Sequence, residues 1–129
     1  MEIETKNFSI RSLKIKDAQT LLQKLNLSHK DSIQKIIRAT PPYSLDTAKK
    51  YIEFQIEKSK EEPENCIVVG IFHKNEDLVG LIELKHISYS KGSAELNYWN
   101  EEKYLEQIYQ AINDFKNYCS KKLGIHNFN

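Results

Sequence analysis

The stretch that decides the fold runs from residue 94 to residue 128, AELNYWNEEKYLEQIYQAINDFKNYCSKKLGIHNF. Its first six residues alternate, Ala94, Leu96 and Tyr98 against Glu95, Asn97 and Trp99, as a strand does when successive side chains take opposite faces. Asn100, Glu101 and Glu102 then open a helix. Its apolar residues Leu105, Ile108, Ala111, Ile112, Phe115, Cys119 and Leu123 hold the helical period up to Gly124, a residue suited to the position just past a helix end. Residues 125–128 read as one more short strand. A strand, a long helix and a second strand make a crossover unit, so the last strand is expected to lie parallel to residues 94–99.

Working upstream, residues 66–72 and 78–87 are continuous apolar runs rich in β-branched side chains, the pattern of strands buried on both faces. The polar link 73–77 makes them a hairpin, and residues 88–92 turn the chain into the strand at 94–99. Together these form a three-strand antiparallel meander. Near the start, residues 8–10 alternate, and Leu13 and Ile15 resume on the other parity, which predicts a kink at Arg11 and Ser12. Asp17 is expected to cap a short helix carrying Ala18, Leu21, Leu22 and Leu25, with Asn26 as its stop. A second helix is expected to open through Ser28-His29-Lys30-Asp31 and to carry Ile33, Ile36 and Ile37, before Pro41 and Pro42 forbid continuation. Ser44 opens a third, with Asp46 in its first turn and a fade into the charged run 58–64. The expected class is α/β (α+β): a mixed sheet with N-terminal helices, the meander, a long helix and a final parallel strand.

The 129 residues fit one domain, residues 1–129, large enough to bury a core without staples. Nineteen basic and eighteen acidic side chains leave a formal charge of +1, with both signs interspersed. That balance gives no pull toward nucleic acid or anionic lipid, so neither partner is expected. No apolar run reaches the length of a signal peptide core or a membrane span, and a cytoplasmic protein is the expectation. Cys66 and Cys119 read as reduced, buried thiols. The histidines His29, His73, His86 and His126 have no paired spacing, so no metal site is expected.

Four segments resemble the Gcn5-related N-acetyltransferase (GNAT) family, in its ribosomal-protein N-acetyltransferase-like branch. They are Ile10-Arg11-Ser12-Leu13 with Lys16-Asp17-Ala18, Leu78-Val79-Gly80-Leu81-Ile82, Ala94-Glu95-Leu96-Asn97-Tyr98-Trp99, and Leu123-Gly124-Ile125-His126. The resemblance implies an acyl-CoA-dependent N-acetyltransferase that moves acetyl from acetyl-CoA to an amine acceptor. It also implies that Tyr98, Trp99 and Asn100 line the pantetheine arm of acetyl-CoA. Glu95 would take a proton from the amine, directly or through water, which requires it to sit within hydrogen-bond reach of that nitrogen.

Two departures accompany the resemblance. The family places a glycine-rich loop before its long helix, so that bare amides wrap the pyrophosphate. No glycine stands between Gly92 and Gly124 here; the corresponding segment is Tyr104-Leu105-Glu106-Gln107-Ile108-Tyr109. The family also continues past its fifth strand, so the chain reads as short at the C-terminal side. The alternative expectation is therefore a non-catalytic or truncated acetyltransferase relic, acting as a small binding module or as part of a homo-oligomer through the edge of its last strand.

Overall fold

A computed structural model describes residues 1–27, 31–39 and 41–129. Strands β1 (Glu2–Glu4) and β2 (Phe8–Arg11) open the chain. Three helices follow, α1 (Ala18–Leu27), α2 (Asp31–Ile37) and α3 (Leu45–Lys58). The meander is β3 (Ile67–His73), β4 (Leu78–Ser88) and β5 (Ser93–Asn100), and α4 (Leu105–Leu123) leads to β6 (Asn127–Phe128). The six strands form one sheet in chain order. Every neighbouring pair is antiparallel except β5 and β6, which run parallel with Ser93 beside Asn127 and Ala94 beside Phe128.

The central strands are apolar on both faces because each face carries its own helical layer. On one side Ile10, Val69, Ile71, Ile82 and Leu84 pack under Ile108, Ile112, Phe115 and Cys119 of α4. On the other, Val68, Phe72, Leu81 and Trp99 pack against α1, α2 and α3 through Leu21, Leu25, Ile33, Ile36, Ala48 and Ile52.

Several expectations are sharpened. Helix α3 is capped as expected, with Ser44 Oγ accepting from the Thr47 amide at 3.1 Å. Asp17, expected as a cap for α1, ends a 3₁₀ turn at residues 15–17 instead. Its carboxylate is occupied elsewhere, taking the Lys14 amide at 2.7 Å and both guanidinium nitrogens of Arg11 at 2.8 and 3.0 Å. That pair spans the predicted kink, where β2 ends and the chain turns toward α1. The expected start of α2 at Ser28-His29-Lys30 lies outside the described residues. The long helix begins a turn later than Glu101, because residues 102–104 form a 3₁₀ turn first. Strand β1, a lone Ile between two glutamates, carries no pattern long enough to read.

Glycine is required at one meeting point. Gly92, in the β4–β5 turn, has φ +66°, and a Cβ there would stand 2.8 Å from the carbonyl oxygen of Gly124. Gly124 itself holds the left-handed position that ends α4. The Gly92 carbonyl accepts from the amides of His126 at 2.8 Å and Asn127 at 3.1 Å. The end of α4 is thus tied to the meander, and β6 is delivered alongside β5.

Candidate functional site

The alternation of β5 sorts the candidate residues onto two faces. Tyr98 stands on the α4 side, 37% exposed, with its ring edge-on to Tyr109 of α4 at 6.5 Å between centroids. Burial, a hydrogen bond to Tyr109 and the neighbouring phenol push the Tyr98 hydroxyl above its ordinary pKa. Asn100 is half-buried on the same parity, and its Nδ2 donates to the carbonyl of Glu101 at 2.9 Å. Trp99 points the other way: it is 4% exposed and belongs to the core under α1, α2 and α3. The structure therefore brings Tyr98 and Asn100 to one side of β5 and separates Trp99 from them.

Glu95 shares the face of Trp99 by parity. Its Oε2 is buried and accepts no hydrogen bond of good geometry, yet lies 3.1 Å from Lys85 Nζ across the β4–β5 ladder. The close approach of opposite charges is the interaction there, and it ties Glu95 to β4 while the side chain stays 40% exposed.

The same face carries a group that the sequence pattern hides. Glu83 of β4 is 1% exposed and sits opposite Asn97 in the ladder. Its Oε1 accepts from Asn97 Nδ2 at 3.2 Å and from Arg38 Nη2 at 3.2 Å. A buried carboxylate without partners is costly, and these two donors offset the cost. Glu83 lines a cavity of about 670 Å³ together with Arg38, Phe54, Cys66, Lys85 and His86. Tyr51 lies close enough for the Glu83 charge to act on it, and its buried hydroxyl has no hydrogen-bond partner. Burial first, then the charge of Glu83, raises the Tyr51 pKa, so it stays a neutral donor. The same two causes raise the Cys66 thiol, which is therefore no thiolate nucleophile near neutral pH.

Two of the three non-glycine residues with left-handed backbone in the described chain, Arg38 at φ 54° and His86 at φ 52°, stand on the rim of this cavity. Such conformations cost free energy and persist where the surroundings enforce them, often at sites of function. Glu83 escapes sequence reading because it interrupts a run buried on both faces, where alternation gives no signal. Its one visible mark is a lone acid between Ile82 and Leu84.

At the start of α4 no glycine loop is present. The chain passes from β5 through the 3₁₀ turn directly into α4, whose N-cap Tyr104 makes no side-chain cap. Glu101 is held by Lys24, which also pairs with Asp77 at 3.1 Å. Burial opposes the charge of Lys24, but these carboxylates outweigh it and raise its pKa. Among the described residues no group of three His, Cys, Asp or Glu is gathered to hold a metal, and no helix is long and apolar enough to cross a membrane.

The sheet thus has one parallel pair at its end, a long helix joins that pair, and shorter helices cover the opposite face. Residues 7–128 match the acetyltransferase (GNAT) domain family, and the chain belongs to that family. Solved structures share the fold. The ribosomal-protein-S5-alanine acetyltransferase of Vibrio fischeri is 15% identical with a TM-score of 0.74, covering 99% of this chain and 72% of its own. An acetyl transferase of Salmonella typhimurium that modifies the N-terminal serine of the 50S ribosomal subunit protein L7/L12 is 17% identical, with a TM-score of 0.73 and coverage of 95% and 69%. The microcin C7 self immunity acetyltransferase MccE, in complex with acetyl-CoA and AMP, is 16% identical with a TM-score of 0.68 and coverage of 92% and 66%. No curated protein sequence matches the chain significantly.

Proposed function

We propose that this chain is an N-acetyltransferase that moves acetyl from acetyl-CoA to an amine held in the cavity over Glu83. The observation that carries the reading is the buried Glu83 carboxylate, fixed by Arg38 and Asn97 at the wall of a cavity of about 670 Å³, in a chain of an acetyltransferase family. The amine nitrogen forms a bond to the acetyl carbon, the carbon–sulfur bond breaks, and the sulfur leaves as the thiol of CoA. The proton lost by the amine passes to a carboxylate of this wall and from there to solvent or the departing sulfur. Glu83 is the proposed acceptor of that proton because it lines the cavity. Tyr98 and Asn100 flank the thioester arm along the edge of β5 that β6 leaves unpaired beyond Leu96, and the acetyl group turns over that edge to meet the amine.

The test is release of free thiol from acetyl-CoA in the presence of a panel of amines, from peptide N-termini to small polyamines. Amine-dependent release supports the reading; release that no amine accelerates contradicts it. The glycine-free start of α4 favours a second reading, a module that binds the donor or the amine without turnover. It predicts ligand binding by calorimetry with no thiol released.

A further inference from the structure

The start of α4 is a poor place for a pyrophosphate, and the surface next to it is apolar. A phosphate is held at a helix start by unobstructed amides and by positive charge. Here every residue from 101 to 108 carries a side chain, and the acid in the first turn of α4 is Glu106. The Lys103 ammonium lies 5.1 Å from the centroid of the Tyr104 ring. Lys24, the buried cation nearest this corner, is committed to Glu101 and Asp77. The Glu106 carboxylate, in that first turn, repels an anion there.

Beside this acidic corner lies a wall of exposed apolar groups. Leu105 and Tyr109, one helical turn apart on α4, are 42% and 53% exposed, and Tyr98 of β5 meets Tyr109 edge-on. The carbonyl of Leu96 and the amide and carbonyl of Tyr98 follow on the β5 edge, since the Leu96 amide and Ala94 carbonyl already bond to Asn129 there. Apolar groups with a row of backbone polar groups suit a chain of methylenes and amides, the chemistry of a pantetheine arm, and offer nothing to a diphosphate.

We infer that this protein grips its acyl donor by the pantetheine arm alone, so that its donor class is acyl-pantetheine thioesters in general, and the nucleotide of CoA adds almost nothing to binding. This rests on the donor site of the proposed function. Tyr98, Leu105 and Tyr109 supply the contact, and the side chains over the helix start, the Glu106 carboxylate among them, exclude the phosphates from it.

The test is titration calorimetry of the full chain with acetyl-CoA, S-acetylpantetheine and 3′,5′-ADP, each also against Tyr109→Ala, an exposed position whose melting temperature is compared with the parent. The expected result is dissociation constants for the two thioesters within about fivefold, both weakened about tenfold by Tyr109→Ala, and no heat from 3′,5′-ADP. Acetyl-CoA binding about a hundredfold tighter than S-acetylpantetheine, or competition by 3′,5′-ADP, would overturn the inference and leave the acetyltransferase reading standing. Tight S-acetylpantetheine binding that Tyr109→Ala leaves unchanged would overturn the assignment of this wall. Binding of neither thioester would overturn the inference and the donor site together.

Discussion

Arg11 and Asp17 form a bidentate pair, both nearly excluded from water, with the guanidinium stacked 3.8 Å over the centroid of the Phe72 ring. Burial disfavours the Asp17 charge, but the bonds from Arg11 and the Lys14 amide outweigh it and lower its pKa below the ordinary 3.8. Removing one member of such a pair leaves the other buried and uncompensated, so Asp17→Asn is expected to cost about 3 kcal/mol near neutral pH. A lowered folded pKa means the unfolded chain takes up the proton first as acid is added. The stabilisation is therefore complete above pH 3.8 and is lost as pH falls through the lower folded value. Urea unfolding of parent and variant across that range checks both the size and the sign. At Glu83 the proposal predicts that Glu83→Gln lowers the amine-dependent rate by about a hundredfold or more, while Glu95→Gln lowers it only a few-fold. The reverse ranking would make Glu95 the proton acceptor. Cys119, wholly buried, has its thiol pushed up to about 12 by burial. Alkylation of the native protein should spare it and label it only on unfolding.

Among the elements, α4 is the one the sequence describes best, because seven apolar positions repeat at helical spacing and Gly124 marks the end. Its start was not legible. Glu101 looks like a first-turn acid, yet its carboxylate is drawn to Lys24, 77 residues away in sequence, and the helix begins only after the 3₁₀ turn. Asp17 misleads in the same way: a capping residue type is diverted by Arg11, a partner that local pattern does not announce. Trp99 is a third case, because alternation puts it on one face and Tyr98 on the other, and only the packing of α1, α2 and α3 shows which face is closed. The tie between the β4–β5 turn and the end of α4 yields a graded prediction. Gly92→Ala meets both a left-handed φ and the Gly124 carbonyl oxygen at 2.8 Å, and is expected to cost about 2–3 kcal/mol. Gly124→Ala meets only the left-handed φ, with nothing within 4 Å of the added Cβ, and should cost about 1 kcal/mol. Equal urea midpoints for the two variants would contradict the close contact.

For the whole molecule, the order of elements and the parallel end pair were readable because periodicity, turn residues and crossover topology all point the same way. The site was readable only in part. Residues on β5 could be named in sequence, but the cavity is built by Glu83 of β4, Arg38 just past α2 and Phe54 of α3, and tertiary contact alone unites them. The edge of β5 joins the two halves of the site proposed here, with the thioester arm beside Tyr98 and its acetyl end turned over that edge toward the amine beside Glu83. Both depend on a donor binding to the folded chain. A ligand that binds the folded state and not the unfolded one must raise the melting temperature by mass action. The direct measurement is the melting temperature of the full chain with and without millimolar acetyl-CoA. A concentration-dependent rise of several degrees is the predicted result; an unchanged melting temperature would contradict the acetyltransferase reading at its root.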